Sequence, residues 1–163
     1  MAQLQVNDIR VKPVEAHNIS SLIRLAESEK LSPWTAQCYL DEMKNPDSVM
    51  LRLISDDNST LGFVVGRFVP SGSGSLDAEI YNIAIRTRDQ RSGFGQILFD
   101  AFADKCRQRN AENIWLEVRE SNEKAIAFYT KNGFERVQTR NHFYENPREH
   151  GWLMRLVLQK SAA

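Results

Sequence analysis

The 163-residue sequence predicts a single domain of mixed α/β class that covers residues 1–163. Three observations predict this class. Apolar residues occupy every second position from 113 to 119, as in a half-buried strand, whereas from 94 to 106 they recur at helical spacing. The polar turn at 56–59 joins two strand-like runs into a hairpin. Along the whole chain the same patterns predict the element order β-α-α-β-β-β-α-β-α-β-β.

The N-terminal half is predicted to carry two helices before the hairpin. Alternating apolar residues from Gln3 predict a first strand that ends at Lys12-Pro13. A helix follows from 15 or 17 to about 30, and a second helix begins with Pro33 in its first turn. The second helix is expected to present a face of Trp34, Cys38, Tyr39 and Met43 and to end at 45–47, with strands at 49–55 and 61–69.

The C-terminal half is predicted to alternate strands and helices. A strand at 78–85 leads into a glycine-containing loop and a helix from 93 to about 109. The strand at 113–119 is followed by a helix with a polar cap at 121–123 and a left-handed end at Asn132-Gly133. The last strands are predicted at 134–140 and 152–158, with a polar loop at 141–151 that contains His142 and His150.

Composition and charge disfavour several classes of function. Basic and acidic residues number 21 each, so the zero net charge gives no general attraction to nucleic acids or membranes. The first ten residues lack an apolar signal-peptide core and no apolar run approaches membrane-spanning length, so we expect a cytoplasmic protein. Cys38 and Cys106 lack metal-site spacing, which predicts buried or half-buried free thiols and no metal site.

The loop at 90–96 is the strongest local signal for a bound ligand. It joins an apolar strand to a helix and carries two glycines, Gly93 and Gly95, one residue apart. The first N–H groups of a helix have no partner inside it, and with the helix dipole they attract a phosphate-like anion. Arg88 and Arg91 could add positive charge. We interpret the loop as a pyrophosphate cradle, and a plain turn with a glycine cap is the alternative.

A Rossmann nucleotide site fits this loop less well. It would place a third glycine where Leu98 stands, and an acidic residue at a strand end roughly 20 positions on, whereas Glu117 lies in mid-strand. The spacing of Gln90, Gly93 and Gly95 instead resembles the Gln/Arg-x-x-Gly-x-Gly loop that holds the coenzyme A pyrophosphate in the GCN5-related N-acetyltransferases.

Two side chains could supply acid–base chemistry if the loop holds coenzyme A. Glu117 is a carboxylate in an otherwise apolar strand, beside Trp115, and could accept the proton of an attacking amine. A structural ion pair with a neighbouring arginine is the alternative role of Glu117. Tyr129, on the next helix, could protonate the leaving thiolate, and core packing is its alternative role.

A longer series of segments narrows the resemblance to one branch of that family. It extends roughly from residue 34 to 156 and is similar to the bacterial ribosomal-protein-alanine N-acetyltransferases of RimI type. The resemblance implies a mixed, mostly antiparallel sheet with flanking helices and a splayed strand at the acetyl-CoA site. The segments that carry it are 78–85, 90–95, 115–122, 125–129 and 132–134.

The resemblance also implies a role for each site residue. Glu117 would be the base, directly or through water, and Tyr129 the acid, with acetyl-CoA as cosubstrate and no metal. The backbone of Ile83, Ala84 and Ile85 and the side chain of Asn122 would bind the pantetheine arm. The backbone of Arg91, Ser92, Gly93, Phe94, Gly95 and Gln96 would hold the pyrophosphate, and Trp34, Glu79, Tyr81 and Tyr144 would line the entry for the amine.

The predicted activity is direct transfer of an acetyl group to a protein N-terminal α-amine, with a ribosomal protein among the expected acceptors. Residues 141–144 follow the family's Arg-Asn-Tyr-Tyr pattern only loosely, and the loop to Gly151 also differs, which leaves the acceptor open. The alternatives are a small amine or a lysine side chain as acceptor, and a non-catalytic acyl-CoA sensor, against which the Glu117–Tyr129 pair argues. We expect a monomer or weak dimer with no direct nucleic-acid or membrane partner.

Overall fold

The computed structural model describes residues 8–72, 74–90 and 92–158 and confirms the mixed α/β class. No helix in these ranges is long and apolar enough to span a membrane. Short 3-10 turns at Ala16–Asn18 and Thr87–Asp89 precede α1 and α3. The helices are α1 Ile19–Ser28, α2 Ala36–Met43, α3 Phe94–Gln108 and α4 Glu123–Lys131. The strands are β1 Ile9–Pro13, β2 Ser48–Ser55, β3 Thr60–Pro70, β4 Leu76–Ile85, β5 Asn113–Arg119, β6 Glu135–Tyr144 and β7 Glu149–Val157.

The strands form a sheet of order β1-β2-β3-β4-β5-β7-β6. The pairs β1–β2, β2–β3, β5–β7 and β6–β7 are antiparallel, which confirms the mostly antiparallel sheet. The β4–β5 pair is parallel and short, since its register runs only from Ala78 to Ile80 on β4. The last five residues of β4 therefore lie beyond this ladder, as a splayed strand requires.

The chain divides into two compact units: a first unit of Met1–Arg67 with Asn82–Lys105, and a second unit of Phe68–Tyr81 with Cys106–Ala163. In the first unit, the apolar face of α1 and the side chain of Tyr39 pack with β2 and β3 into one cluster of buried residues. Helical spacing explains this face, because Ile19, Leu22, Leu25 and Ala26 are the buried residues of α1.

The start of α2 differs from the prediction. Thr35 is the N-cap, and its hydroxyl accepts a hydrogen bond from the Cys38 N–H at 3.2 Å, so Pro33 precedes the helix. The capped start turns Tyr39 and Glu42 inward and leaves Cys38 exposed. The prediction of a buried or half-buried Cys38 was therefore wrong, whereas Cys106 is a buried free thiol as predicted.

The second unit is built on β5, whose Ile114, Leu116 and Val118 are buried while the alternate residues are half-buried. β5 pairs with β7 over its full length, from Asn113 to Arg119. α4 ends as predicted, since Gly133 follows it in the left-handed region, with φ +95°.

The predicted polar loop at 141–151 is mostly strand. β6 continues to Tyr144 and β7 begins at Glu149, so only 145–148 form the turn. β6 is an edge strand whose residues are almost all exposed, so its polar composition carries no alternation that would mark it as a strand. His142 and His150 consequently lie in strands, where the His142 N–H donates to Nδ1 of His150 at 3.0 Å.

Candidate active site

The glycine loop ends in a backbone conformation that only glycine adopts readily. Gly93 has φ +81°, and a Cβ there would meet no atom within 4 Å, so conformation rather than space requires the glycine. Phe94, the first residue of α3, is buried and anchors the start of the helix. The segment therefore has the strand, turn and helix arrangement that the sequence predicted.

Side-chain hydrogen bonds within the first unit hold this loop in place. The Gln90 side-chain amide donates to the Ile85 carbonyl at 2.9 Å and to the Glu29 carboxylate at 3.0 Å. Glu29, at the end of α1, also accepts from the Thr87 hydroxyl at 2.5 Å. Gln90 thus fixes the loop to the end of β4, and Glu29 fixes it to α1. Glu29 was missed in the sequence, where no pattern connects it with residues about 60 positions away.

The start of α3 fits a pyrophosphate group. The first N–H groups of the helix have no acceptor within it, and its first turn carries no acidic residue that would repel an anion. Gln96 does not point its amide at this end, because its Nε2 donates to Asp100 one turn further on, at 2.8 Å. Arg91 lies outside the described residues. The binding groups here would be backbone N–H groups of 92–96, which supply electrostatic stabilisation of phosphate oxygens.

At its end, β4 contacts β3 on one edge, and its other edge extends past the last residue pair with β5. Gly62 of β3 approaches it so closely that a Cβ would lie 2.6 Å from the Ala84 carbonyl oxygen, and Arg86 N–H donates to the Leu61 carbonyl at 2.8 Å. Ile83 and Ile85 are half-buried. Their peptide groups lie past the last β4–β5 pair, Ile80 with Leu116, which suits hydrogen bonds to a pantetheine arm.

Glu117 lies on the half-buried face of β5 beside one cation. Its Oε1 is 3.4 Å from Nε of Arg140, and its side chain retains 29% exposure. Burial raises the pKa of Glu117 above its ordinary value, Arg140 opposes that rise and Glu79 adds to it. The higher pKa makes the carboxylate a stronger proton acceptor than an ordinary glutamate. Glu117 also makes the ion pair that was its alternative role.

Tyr144 feels the charge of Glu117, and Tyr129 in turn feels Tyr144. Burial, and then the charge of Glu117, raises the pKa of Tyr144 to about 12. Burial also raises the pKa of Tyr129, and Tyr144 adds to the rise. Tyr129 packs against Phe134 with ring centroids 5.6 Å apart, so it has the core contact predicted as its alternative role. Both phenols are held protonated at neutral pH, as a hydrogen-bond donor must be.

A comparison of the sequence with protein-family models shows which family the chain belongs to. The model of the acetyltransferase (GNAT) family matches residues 18–134, more than half of the chain. The chain belongs to the GNAT family. It is an N-acetyltransferase by that membership, with acetyl-CoA as the cosubstrate. The matched region includes parts of both compact units, and the assignment of 1–163 to one domain stays a prediction.

Individual GNAT relatives agree with the branch that the sequence resembles. A [ribosomal protein bS18]-alanine N-acetyltransferase of Haemophilus influenzae is 30% identical over 140 residues, covering 84% of this chain and 88% of the relative. The crystal structure of the Escherichia coli ribosomal-protein-S18-alanine N-acetyltransferase matches the fold with a TM-score of 0.82 at 23% identity, covering 94% of this chain and 96% of the other. Arabidopsis thaliana Naa50 in complex with the bisubstrate analogue CoA-Ac-MVNAL matches with a TM-score of 0.81 at 23% identity, covering 93% and 99%.

The remaining predicted site residues of this GNAT chain lie on different elements and make different contacts. Glu79 and Tyr81 lie on β4 in the second unit, where Glu79 is in register with Trp115 and acts on the pKa of Glu117. Trp34 belongs to the first unit and is partly buried against its core, 5.2 Å from the Tyr39 ring centroid. Asn122 is the N-cap of α4, where its Oδ1 accepts from the Ala125 N–H at 3.2 Å. Their binding roles stay predictions.

Sequence reasoning also missed the contacts that Arg119 makes in this GNAT chain. Arg119 stacks on the Tyr144 ring at 4.5 Å and donates to the carbonyls of Glu145 and Pro147 at 3.0 and 2.9 Å. It also pairs with Glu149 at 3.0 Å. Arg119 lies two residues after Glu117 in β5, so the two side chains are on the same face of the strand. This shared face was the sequence signal that could have placed Arg119 near the candidate site. Among the described residues no group of three or more His, Cys, Asp or Glu could hold a metal ion.

Proposed function

We propose that this chain transfers the acetyl group of acetyl-CoA directly to the N-terminal α-amine of a protein. The observation that carries the proposal is the series Glu117, Tyr144 and Tyr129, in which the carboxylate with a raised pKa acts on Tyr144 and Tyr144 acts on Tyr129. The names of the relatives favour an N-terminal alanine of a ribosomal protein as the first acceptor to test. Such an acceptor also favours a cytoplasmic location. Glu117 and Tyr129 come from the same chain, so a monomer suffices.

Glu117 acts on the acceptor amine. An α-amine titrates near pH 8, so at neutral pH most of it is protonated and cannot attack. Glu117, or a water that Glu117 holds, first takes one proton from the protonated amine. The neutral nitrogen then forms a C–N bond with the acetyl carbonyl carbon as the C–S bond breaks, and the second proton that nitrogen loses passes to solvent. The raised pKa of Glu117 narrows the gap between carboxylate and amine, which makes the proton transfer less unfavourable.

Tyr129 acts on the departing sulfur as a hydrogen-bond donor. A thiol has a pKa of about 8.5, well below that of a buried tyrosine whose pKa is raised above the ordinary value of 10.0. Complete proton transfer from Tyr129 to the thiolate is therefore uphill. A hydrogen bond that strengthens as negative charge develops on sulfur stabilises the transition state without that cost. Solvent then supplies the proton that forms the free thiol.

A peptide panel tests the proposed acceptor. The panel holds peptides that differ only in the N-terminal residue, beginning with alanine, and each has a partner with a blocked N-terminus and one internal lysine. Free small amines complete the set. We expect turnover of free N-termini, best with small first residues, and little turnover of blocked peptides. Comparable rates on the lysine peptides or on small amines would reject the N-terminal acceptor, and no acetyl transfer to any of them would favour the acyl-CoA sensor.

A further inference from the structure

A buried arginine in the first unit lacks the counterion that a buried charge normally requires. Arg52 of β2 is only 4% exposed, and its Nη atoms donate to neutral acceptors: the Asn58 carbonyl, the Asn58 side chain and the Thr60 hydroxyl, at 3.3, 2.8 and 2.9 Å. Its Nε is buried without a hydrogen-bond partner among the described residues. Buried charges are otherwise paired and buried donors are otherwise satisfied, so this group calls for an explanation.

The same unit shows the usual solution at another position. Glu42 is equally buried, but it forms a bidentate ion pair with Arg67 and also accepts from the Ser48 hydroxyl at 2.7 Å. The contrast shows that this unit is able to neutralise a buried charge with its own residues. At Arg52 the described residues provide no carboxylate within ion-pair distance.

The unpaired guanidinium lines a cavity of about 200 Å³. Lys12 of β1, Glu15, His17, Asn18 and Asn58 line it too. Lys12 is directly opposite Arg52 in the β1–β2 register, and two like charges in such a position repel each other unless an anion lies between them. The volume is below the ~300 Å³ at which pockets for drug-sized ligands begin, so the cavity suits an inorganic ion or a very small acid.

Among the described residues that line this cavity, Glu15 is the one carboxylate. Its Oε2 is 3.5 Å from His17 Nδ1 and its side chain is well exposed, so it is engaged with the histidine rather than paired with Arg52. Burial lowers the pKa of Arg52, and the negative charge of Glu15 only partly opposes that fall from a distance. In the described part of the lining, one carboxylate therefore stands against the two cations Lys12 and Arg52, so the charge of these residues is positive on balance.

We propose that this cavity binds a small oxyanion, held by the positive charge of the Arg52 guanidinium and by the Lys12 ammonium. Planar guanidinium and ammonium groups are the usual protein ligands of phosphate, sulfate and carboxylate oxygens. The site is independent of the acetyl-transfer reaction proposed above, because none of its residues belongs to the predicted catalytic or cofactor-binding set.

Binding is tested by thermal unfolding and calorimetry of the full chain in phosphate, sulfate or acetate against chloride at equal ionic strength. Coenzyme A is kept saturating so that the anion does not act at the α3 loop. A Kd of about 1 mM would raise Tm by about 3 °C or more in 10 mM anion. No heat and no shift of Tm with any of the three anions would overturn the proposal.

Variants locate the site. Lys12→Gln and Arg52→Met are each expected to weaken anion binding by about 10-fold or more, since each removes a charged donor. Glu15→Gln is expected to tighten it, because it removes the one negative charge. Arg24→Gln, an exposed residue of α1 outside the cavity, loses the same charge as Lys12→Gln and should bind as the wild type does. If Arg52→Met does not fold, the opposite effects of Lys12→Gln and Glu15→Gln still decide. Equal binding in both of these variants would contradict the assignment.

Discussion

The two compact units differ in the kind of group that is predicted to act on the substrates. In the first unit the predicted cofactor groups are backbone: N–H groups at the start of α3, after Gly93, and peptide groups of Ile83, Ala84 and Ile85. In the second unit the candidate catalytic groups are the side chains of Glu117 and Tyr129, whose pKa values burial raises. Backbone groups depend on φ and on strand register, whereas side-chain chemistry depends on what surrounds each residue.

This difference predicts which measured property, coenzyme A affinity or reaction rate and its pH dependence, a substitution in each unit should change. A variant of the first unit alters where phosphate oxygens are held, so it should change the affinity for coenzyme A and leave the pH dependence of the reaction alone. A variant of Glu117 or Tyr129 in the second unit should change rate or pH dependence and leave that affinity alone. Each prediction below tests one side of this division, from the largest expected effect to the smallest.

Gly93→Asp is expected to abolish measurable coenzyme A binding. It places a carboxylate where phosphate oxygens are predicted and a side chain at φ +81°. Gly93→Ala is the control, because it adds the backbone strain, about 1 kcal/mol, without the charge, and should weaken binding only several-fold. Calorimetry with coenzyme A measures both. If folded Gly93→Asp bound coenzyme A like the wild type, the cradle would lie elsewhere.

Glu117→Gln is expected to lower kcat by about 10²- to 10³-fold at neutral pH and to recover in part at alkaline pH, where the acceptor amine is already neutral. Acetyl-CoA affinity should not change. A pH–rate profile with a good peptide substrate measures the effect. A profile parallel to that of the wild type at every pH would mean that Glu117 is not the base.

The same variant should not cost stability. Burial raises the folded pKa of Glu117 above its ordinary value of 4.5, so the folded chain binds this proton more tightly than the unfolded chain does. The ionised carboxylate therefore destabilises the fold, and this penalty develops as pH rises from about 4.5 through the folded pKa. Relative to the wild type, Glu117→Gln should gain in Tm over that range. A loss of Tm at pH 7 would show that the Arg140 ion pair outweighs the cost of burial.

Tyr129→Phe is expected to lower kcat by about 10²-fold without recovery at alkaline pH, because it removes the donor to the departing sulfur and keeps the ring. Tyr144→Phe is the matched control, since Tyr144 shares the environment and has a pKa of about 12. Single-turnover kinetics separate chemistry from binding. A larger loss in Tyr144→Phe than in Tyr129→Phe would transfer the donor role to Tyr144.

The sequence predicted the elements that have a strong internal pattern and missed those that depend on a neighbour. β5 was predicted at its full length, because one buried face forces alternation on residues 113–119. The end of α4 was predicted because a left-handed position selects Gly133. By contrast β6 continues to Tyr144 where a loop was expected, since an exposed edge strand has no buried face to mark it.

The candidate site shows the same division. Glu117 and Tyr129 were chosen because their residue types fit the chemistry and the resemblance, but no sequence pattern could show that Arg140 lies 3.4 Å from Glu117 or that Glu29 holds Gln90. These are contacts between residues 23 and 61 positions apart, which pairing and helix packing bring together. The sequence thus supplied candidates for the chemistry, whereas the residues that contact and orient those candidates could not be predicted.

Arg119 provides the smallest and most selective test. Its guanidinium holds the carbonyls of Glu145 and Pro147 and stacks on Tyr144, so it fixes the turn between β6 and β7, in the region where the acceptor pattern departs from the family. Arg119→Met should release this turn and raise the KM for the peptide by about 10-fold, as expected when charge-assisted hydrogen bonds on a half-exposed side chain are lost. Its kcat and its acetyl-CoA affinity should stay close to those of the wild type.

Arg148→Gln is the control for charge, because Arg148 lies in the same turn and is exposed. It should leave the KM for the peptide unchanged if Arg119 acts by orienting the turn. Equal increases in both variants would indicate a general loss of positive charge near the acceptor instead. A fall in kcat with unchanged KM in Arg119→Met would show that Arg119 acts on the chemical step. Arg119 would then belong with Glu117 and Tyr129 and not with the residues that position the peptide.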